Sequence, residues 1–275
     1  MQPIIEAQKM KFRNNFFSNY LKIAPIPLAL ERTLECEILS KKEFVRPVLD
    51  IGCGEGIFAH ILFDEKIDVG IDPDERELKR VRQFDKYNEL IKCFGDKIPK
   101  PSNSFNTVFS NSVMEHIPDI EPVVREAHRL LADNGSFYVT LPTNLFDHYG
   151  VISRMLMGLG MKDTATRFRK FYNGFWRHYH YYDANGWKTL FERNGFKVIE
   201  VIEYVNKKIC TTNDFLTPFS IPSLLMKKFF NRWVLLPFLT PLVTFPFRLF
   251  VSKKDIQQAI NIKNGGLIFI HLKKK

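Results

Sequence analysis

The chain has 275 residues, 45% of them hydrophobic, which suits a globular protein with a sizeable core, in one large domain or a domain with additions. Its formal charge of +10 looks at first like that of a nucleic-acid binder, but 12 of the 40 basic residues and only two of the 30 acids lie from Lys207 onward, so residues 1–206 are neutral and nucleic acid is an unlikely partner. Cys36, Cys53, Cys93 and Cys210 form no C-x-x-C pair, Met1–Met10 carries no obvious secretory signal, and the seven histidines lack metal-ligand spacing. A reduced, cytoplasmic protein without a metal is the expectation.

Residues 1–44 read as an N-terminal helical cap in front of a larger unit, 45–275. Phe12, Phe16, Phe17, Tyr20 and Leu21 recur at helical spacing, as do Leu28, Leu30, Leu34 and Ile38 after the Pro25–Pro27 break. These helices either cover a sheet edge as core or close as a lid over a ligand. Strand one, Pro47–Ile51, runs into Val48-Leu49-Asp50-Ile51-Gly52-Cys53-Gly54-Glu55-Gly56, and a helix is predicted over Gly56–Phe63. Alternating glycines allow a sharp turn and let a ligand lie directly on the main chain. The amides of the following helix add donors, and Asp50 an anionic acceptor, in the same mouth. This is a nucleotide-type cradle at the carboxyl edge of a parallel sheet. A dinucleotide fingerprint wants G-x-G-x-x-G, whereas Ile57 stands where the last glycine belongs. Asp50 would also repel a pyrophosphate. S-adenosylmethionine, with its sulfonium and amino group, suits the mouth better. The stretch resembles the first motif, hh(D/E)hGxGxG, of class I S-adenosylmethionine-dependent methyltransferases.

Strand two, Asp68–Ile71, ends in Asp72-Pro73-Asp74. Asp72 follows Gly52 by 20 residues, where a carboxylate can accept both hydroxyls of an adenosyl or an NAD ribose. Asp74 reads as the N-cap of a helix over Glu75–Phe84. Strand three, Leu90–Phe94, leads to Gly95-Asp96-Lys97-Ile98-Pro99, and strand four, Thr107–Ser110, to Asn111-Ser112-Val113-Met114-Glu115-His116-Ile117-Pro118-Asp119. Asp119 is expected to cap an amphipathic helix that ends near Ala132–Gly135, before strand five, Ser136–Leu141. These landmarks are similar in order and spacing to the small-molecule, type 11-like methyltransferases, closely over Val45–Pro142 and loosely over Tyr182–Val205. The resemblance implies an α/β, Rossmann-like, seven-stranded doubly wound sheet with an antiparallel terminal strand. It also implies that Asp96 receives the adenine amino group, that Ile98 covers the ring, and that Cys53, Pro73, Lys97, Ser110 and Asn111 adjoin the cofactor.

Two insertions depart from that minimal fold, at 143–181 and 206–264, the second between strand six, Lys197–Val205, and the terminal strand, Leu267–Leu272. Methyl transfer from a sulfonium is an in-line displacement in which holding the two reactants is much of the catalysis. If a general base is used, His116 and His180 are the candidates, with His178 beside them. A cap or packing role is the alternative for each. The segment Asn111–Met114 lacks the (N/D/S)-P-P-(Y/F) motif of enzymes that methylate base amines in nucleic acids. The reading is therefore methyl transfer to a small-molecule, glycan or lipid-linked acceptor. An NAD-type oxidoreductase and a non-catalytic membrane-associated binding protein are the alternatives. The uncharged run Trp233–Phe247 is too short and too proline-broken for a membrane-spanning helix. Flanked by Lys227, Lys228, Arg232, Arg248, Lys253 and Lys254, it predicts either a peripheral membrane contact through 219–254 or an apolar cap over the active site or at a subunit interface.

Overall fold

A computed structural model of the protein describes residues 8–230, 232–234 and 253–275. One seven-stranded sheet organises it: β1 (Val48–Ile51), β2 (Ile67–Asp72), β3 (Tyr87–Lys92), β4 (Phe105–Asn111), β5 (Leu131–Pro142), β6 (Phe196–Tyr204) and β7 (Leu267–Lys274). The spatial order is β3-β2-β1-β4-β5-β7-β6, parallel through β5, with β7 antiparallel to both β5 and β6. The Rossmann-like architecture read from the sequence is thus what the chain forms. The strand order reverses between β1 and β4, so their carboxyl ends open the crevice where such sheets hold ligands.

In chain order the helices are α1 (Phe16–Leu21), α2 (Ile26–Leu39), α3 (Ile57–Leu62), α4 (Glu75–Val81), α5 (Ile120–Leu130), α6 (Val151–Gly158), α7 (Lys162–Phe175), α8 (Ala184–Arg193), α9 (Lys207–Leu216) and α10 (Ile221–Phe230), with a short helix at Lys253–Gln257. Because side chains alternate across a strand, the sheet feeds two cores. Val48, Phe109, Tyr138 and Phe269 face α1–α4, where Leu30, Leu34, Ile61 and Val81 are buried. Leu49, Val108, Val139 and Ile270 face α5 and α8, where Val124, Leu130, Trp187 and Phe191 are buried. Burial on both faces explains why the central strands read as continuous apolar runs.

Local differences have local causes. β3 begins at Tyr87, not Leu90, because Tyr87 pairs with Ile67 and the ladder runs out at Lys92. The helix predicted to Phe84 stops at Val81 and tightens into a 3₁₀ turn over Arg82–Phe84. Asp74 caps α4 through its side chain, accepting from the Arg76 amide, whereas Asp119 stands at the N-cap of α5 without such a bond. Both insertions are helical where described: α6 packs on α7, and α9 packs on α2 and α6. Most of Trp233–Phe247, with Arg248 after it, lies outside the described residues. No described helix is long and apolar enough to cross a membrane.

Candidate active site

The glycine turn after β1 holds the left-handed backbone its sequence promises: φ is +81° at Gly52, +52° at Gly54 and +77° at Gly56. The three positions differ in what a side chain would meet. A Cβ at Gly52 would collide with Val113, and one at Gly56 would come within 3.2 Å of Val81, but one at Gly54 would meet nothing within 4 Å. Gly54 therefore borders open space at the sheet edge, as a cradle for a cofactor lying on the main chain requires. The amides of the turn itself are in use. Those of Gly52 and Cys53 both donate to Ile71 O at 2.9 Å, Gly56 N donates to Cys53 O, and Gly54 N donates to Asp72 Oδ2 at 3.0 Å.

Asp72, at the end of β2, also accepts from the Asp74 amide at 2.8 Å, and burial raises its carboxyl above the usual range. Pro73 is exposed beside it, and Phe94, Asp96 and Lys97 in the segment after β3 are exposed as well. Asn111 ends β4, accepting from Thr140 and donating to Glu35.

Four expectations are corrected. Asp50 is 4% exposed and takes a 2.6 Å bond from the Tyr87 hydroxyl, and burial pushes its carboxyl up to about 7. It braces the base of the turn and is no free acceptor in the mouth. Ile98 is turned into the core beneath α5, its amide donating to Glu126, and so does not cover a ring at the crevice. The Ser110 hydroxyl is buried and donates to Ile51 O, tying β4 to β1. His180 has both ring nitrogens occupied: Nε2 reaches the carbonyls of Ile117 and Pro118, and Nδ1 the Tyr182 hydroxyl. It staples the end of the first insertion to the loop after β4.

Beside the turn lies a cavity of about 310 Å³. Arg32 on α2, Ser112, Glu115 and His116 after β4, and Asn213 and Ser220 of the second insertion are polar parts of its lining, and Phe146, Tyr172 and Trp176 of the first insertion with Leu224 and Trp233 of the second are apolar parts. Val113, between Ser112 and Met114, packs over Gly52, so the loop after β4 that carries Ser112 adjoins the cradle. His116 does reach this cavity. Its Nδ1 lies 3.3 Å from Arg177 O, so the tautomer that donates there leaves the Nε2 lone pair free, and burial keeps the ring neutral. Arg32 is bound on one side by both oxygens of Glu35, at 2.8 and 2.7 Å, and Glu35 in turn receives Asn111, Ser112 and Tyr204. Sequence reading passed over this Arg32–Glu35 pair and Glu115. An Arg-x-x-Glu spacing with Glu35 between the apolar Leu34 and Ile38, and an acid next to the histidine it did choose, were the available signals.

The second insertion also touches the cradle itself. The Trp233 indole donates to Glu55 Oε1 at 2.7 Å, and Lys227 lies 3.2 Å from the same oxygen and 4.4 Å from the Trp233 ring centre. Glu55 is the residue between Gly54 and Gly56, so the insertion is latched to the cofactor turn. Among the described residues no group of His, Cys, Asp and Glu is placed to hold a metal ion.

Comparison with known proteins agrees with this geometry. A family model described as a methyltransferase domain matches residues 25–201. The Bacillus subtilis (strain 168) methyltransferase YrhH is 28% identical over 160 residues, covering 54% of this chain and 88% of that protein. The mitochondrial ubiquinone biosynthesis O-methyltransferase of Bos taurus is also 28% identical over 160 residues, but the match covers only 43% of its length. An S-adenosylmethionine-dependent methyltransferase of Thermotoga maritima shares the fold, with a TM-score of 0.54 at 16% identity over 94% of this chain and 92% of its own. Since well over half of the chain falls within the family model, the protein belongs to the methyltransferase-domain family, as a class I enzyme that takes its methyl group from S-adenosylmethionine.

Proposed function

We propose that the cavity beside the glycine turn receives the acceptor, and that this acceptor is a hydrophobic or lipid-linked molecule taken from a membrane surface. The cofactor, when bound, supplies an electrophilic methyl group. In this reading the protein supplies placement: Gly54 gives the cofactor its bed, Asp72 accepts ribose hydroxyls, and the exposed Asp96 receives the adenine amino group. In the cavity, His116 Nε2 is available to take a proton from the acceptor.

The observation that carries the acceptor reading is the shared wall. Both insertions line one cavity, and both leave large apolar side chains outside it. Phe171 and Phe175 of α7 are 68% and 67% exposed, and Ile221, Leu225 and Phe229 of α10 are 54%, 51% and 72% exposed. Exposed Lys162, Arg167 and Lys170 accompany the first set, and exposed Lys228 and Arg232 the second. Apolar side chains interleaved with bases suit the headgroup layer of an anionic bilayer. A relative named for ubiquinone biosynthesis is in keeping with such an acceptor.

The test is co-sedimentation with vesicles. Binding is expected to vesicles containing an anionic lipid, to weaken severalfold as salt rises from low to physiological strength, and to drop at least tenfold in a Phe175→Asp, Phe229→Asp double variant. A protein that ignores anionic vesicles at low salt would show that the insertions serve only as a cap.

A further inference from the structure

The turn that joins α6 to α7 has a composition that the cavity does not explain. From Met155 to Met161 the chain reads Met-Leu-Met-Gly-Leu-Gly-Met, with no charged or polar side chain. Met155, Met157, Leu159 and Met161 are all exposed, Leu159 at the apex to 67%, and none of them lines the cavity. Apolar side chains scattered singly over a surface need no account, but four gathered at one tip mark a contact.

The backbone of the tip is as little in need of water as its side chains. α6 ends in a Schellman turn: the amide of Gly160, whose φ is +75°, donates to Met157 O at 3.1 Å, and that of Met161 donates to Leu156 O at 2.9 Å. Leu159 N donates to Met155 O and Lys162 N to Gly160 O, both at 3.0 Å. Every amide from 159 to 162 therefore has its acceptor inside the hairpin, which is the condition for entering a medium that offers no hydrogen bonds. Charge begins where the apolar run stops. Arg154, which also donates to Thr211, precedes it and Lys162 follows it, both exposed. Residues 151–175 hold five bases against one acid, Asp163, a net charge of +4. Met161, Phe168, Phe171 and Phe175 fall on one face at helical spacing, so an apolar stripe continues from the tip along α7.

We infer that the α6–α7 tip is a membrane wedge, in which Met155, Met157, Leu159 and Met161 enter the acyl layer of an anionic bilayer while Arg154 and Lys162 stop at the headgroup phosphates. This rests on the reading of the protein as one that works at a membrane surface, and it names the element that penetrates. The rival occupant is a second copy of the chain. A two-fold contact would set each hairpin against its own image, and the positive charge on both would oppose it, whereas an anionic surface attracts that charge. The wedge also has a purpose in the fold. α7 joins the tip to Trp176 of the cavity wall. At 1.5 Å per helical residue the two are about 22 Å apart, so the seating of the tip fixes how the cavity stands to the membrane.

Two variants at the apex test this with vesicles of phosphatidylcholine and phosphatidylglycerol. Leu159→Asp should keep a cooperative melt and its affinity for S-adenosylhomocysteine but lose about tenfold in vesicle affinity, because the new carboxylate would have to follow the tip into the acyl layer. Leu159→Trp should bind vesicles as well as wild type does. Phosphatidylcholine brominated along its acyl chains should then quench its fluorescence about twice as strongly as that of wild type, whose Trp176, Trp187 and Trp233 lie off the tip. Undiminished vesicle affinity in folded Leu159→Asp, or no added quenching in Leu159→Trp, overturns the wedge and leaves the membrane reading standing. A dimer that Leu159→Asp converts to a monomer, with vesicle affinity unchanged, gives the tip to a second copy and overturns the wedge as well. If wild-type protein ignores the vesicles, the membrane reading fails and the wedge with it. Should Leu159→Asp not fold, quenching in Leu159→Trp decides by itself.

Discussion

Gly54→Val should fold and bind no S-adenosylhomocysteine. Position 54 has φ +52°, a left-handed conformation that strains a β-branched residue by about 1–3 kcal/mol. A domain stabilised by roughly 5–15 kcal/mol survives that strain. The new side chain meets no protein atom within 4 Å, so it stands in the space that the cofactor needs. If the backbone relaxes to a negative φ instead, the Gly54–Asp72 bond breaks and the turn changes shape. Either way an affinity loss of at least a hundredfold is expected, about 2.7 kcal/mol. Gly52→Val is the contrast, because its side chain collides with Val113 inside the protein and should lower the melting temperature as well. Calorimetry with S-adenosylhomocysteine, beside a thermal melt, separates the two effects. Undiminished affinity in folded Gly54→Val would rule out the main-chain cradle.

The second large effect is expected at Asp72. Its carboxylate holds the amides of Gly54 and Asp74 and faces the place assigned to the ribose. Hydrogen bonds to a charged group contribute about 1.5–3 kcal/mol each, so Asp72→Ala should weaken S-adenosylhomocysteine binding by about ten- to a hundredfold. Asp74→Ala removes the side-chain cap on the Arg76 amide and an exposed ion pair with the Arg76 guanidinium, and leaves the bond from its own amide to Asp72 in place. It should cost about 1 kcal/mol of stability and leave affinity within twofold. Equal affinities for wild type and Asp72→Ala would remove Asp72 from the site.

What the sequence made legible was whatever depends on neighbours in the chain. The glycine turn, Asp72 at a strand end and the cap at Asp74 are set within a few residues, and each stands where its spacing put it. The failures share a different cause. Asp50 was read as a free anion because its partner, Tyr87, comes from another strand 37 residues on. Ile98 was read as a ring cover because nothing near it announces that α5 will lie on top of it. His180 was preferred to Glu115 on chemical reputation. Which of these side chains enters the cavity depends on the 3₁₀ turn over Met114–His116 and on how the first insertion folds back upon it. The two insertions were plain from their length, but no periodicity tells which helices will share a cavity.

That sharing has a thermodynamic consequence at Trp233. Trp233 lines the cavity proposed for the acceptor, and its indole nitrogen is bonded to Glu55 in the cofactor turn, so one side chain touches both places. Two ligands that lean on a common wall are not independent. Whatever factor octanol in the cavity imposes on S-adenosylhomocysteine affinity, S-adenosylhomocysteine must impose on octanol, because a coupling free energy has no direction. In Trp233→Ala the two affinities should separate, each ligand titrating alike with and without the other. If they separate already in the wild type, the latch carries no energy. If they are coupled, the enzyme senses its acceptor in the act of holding its donor.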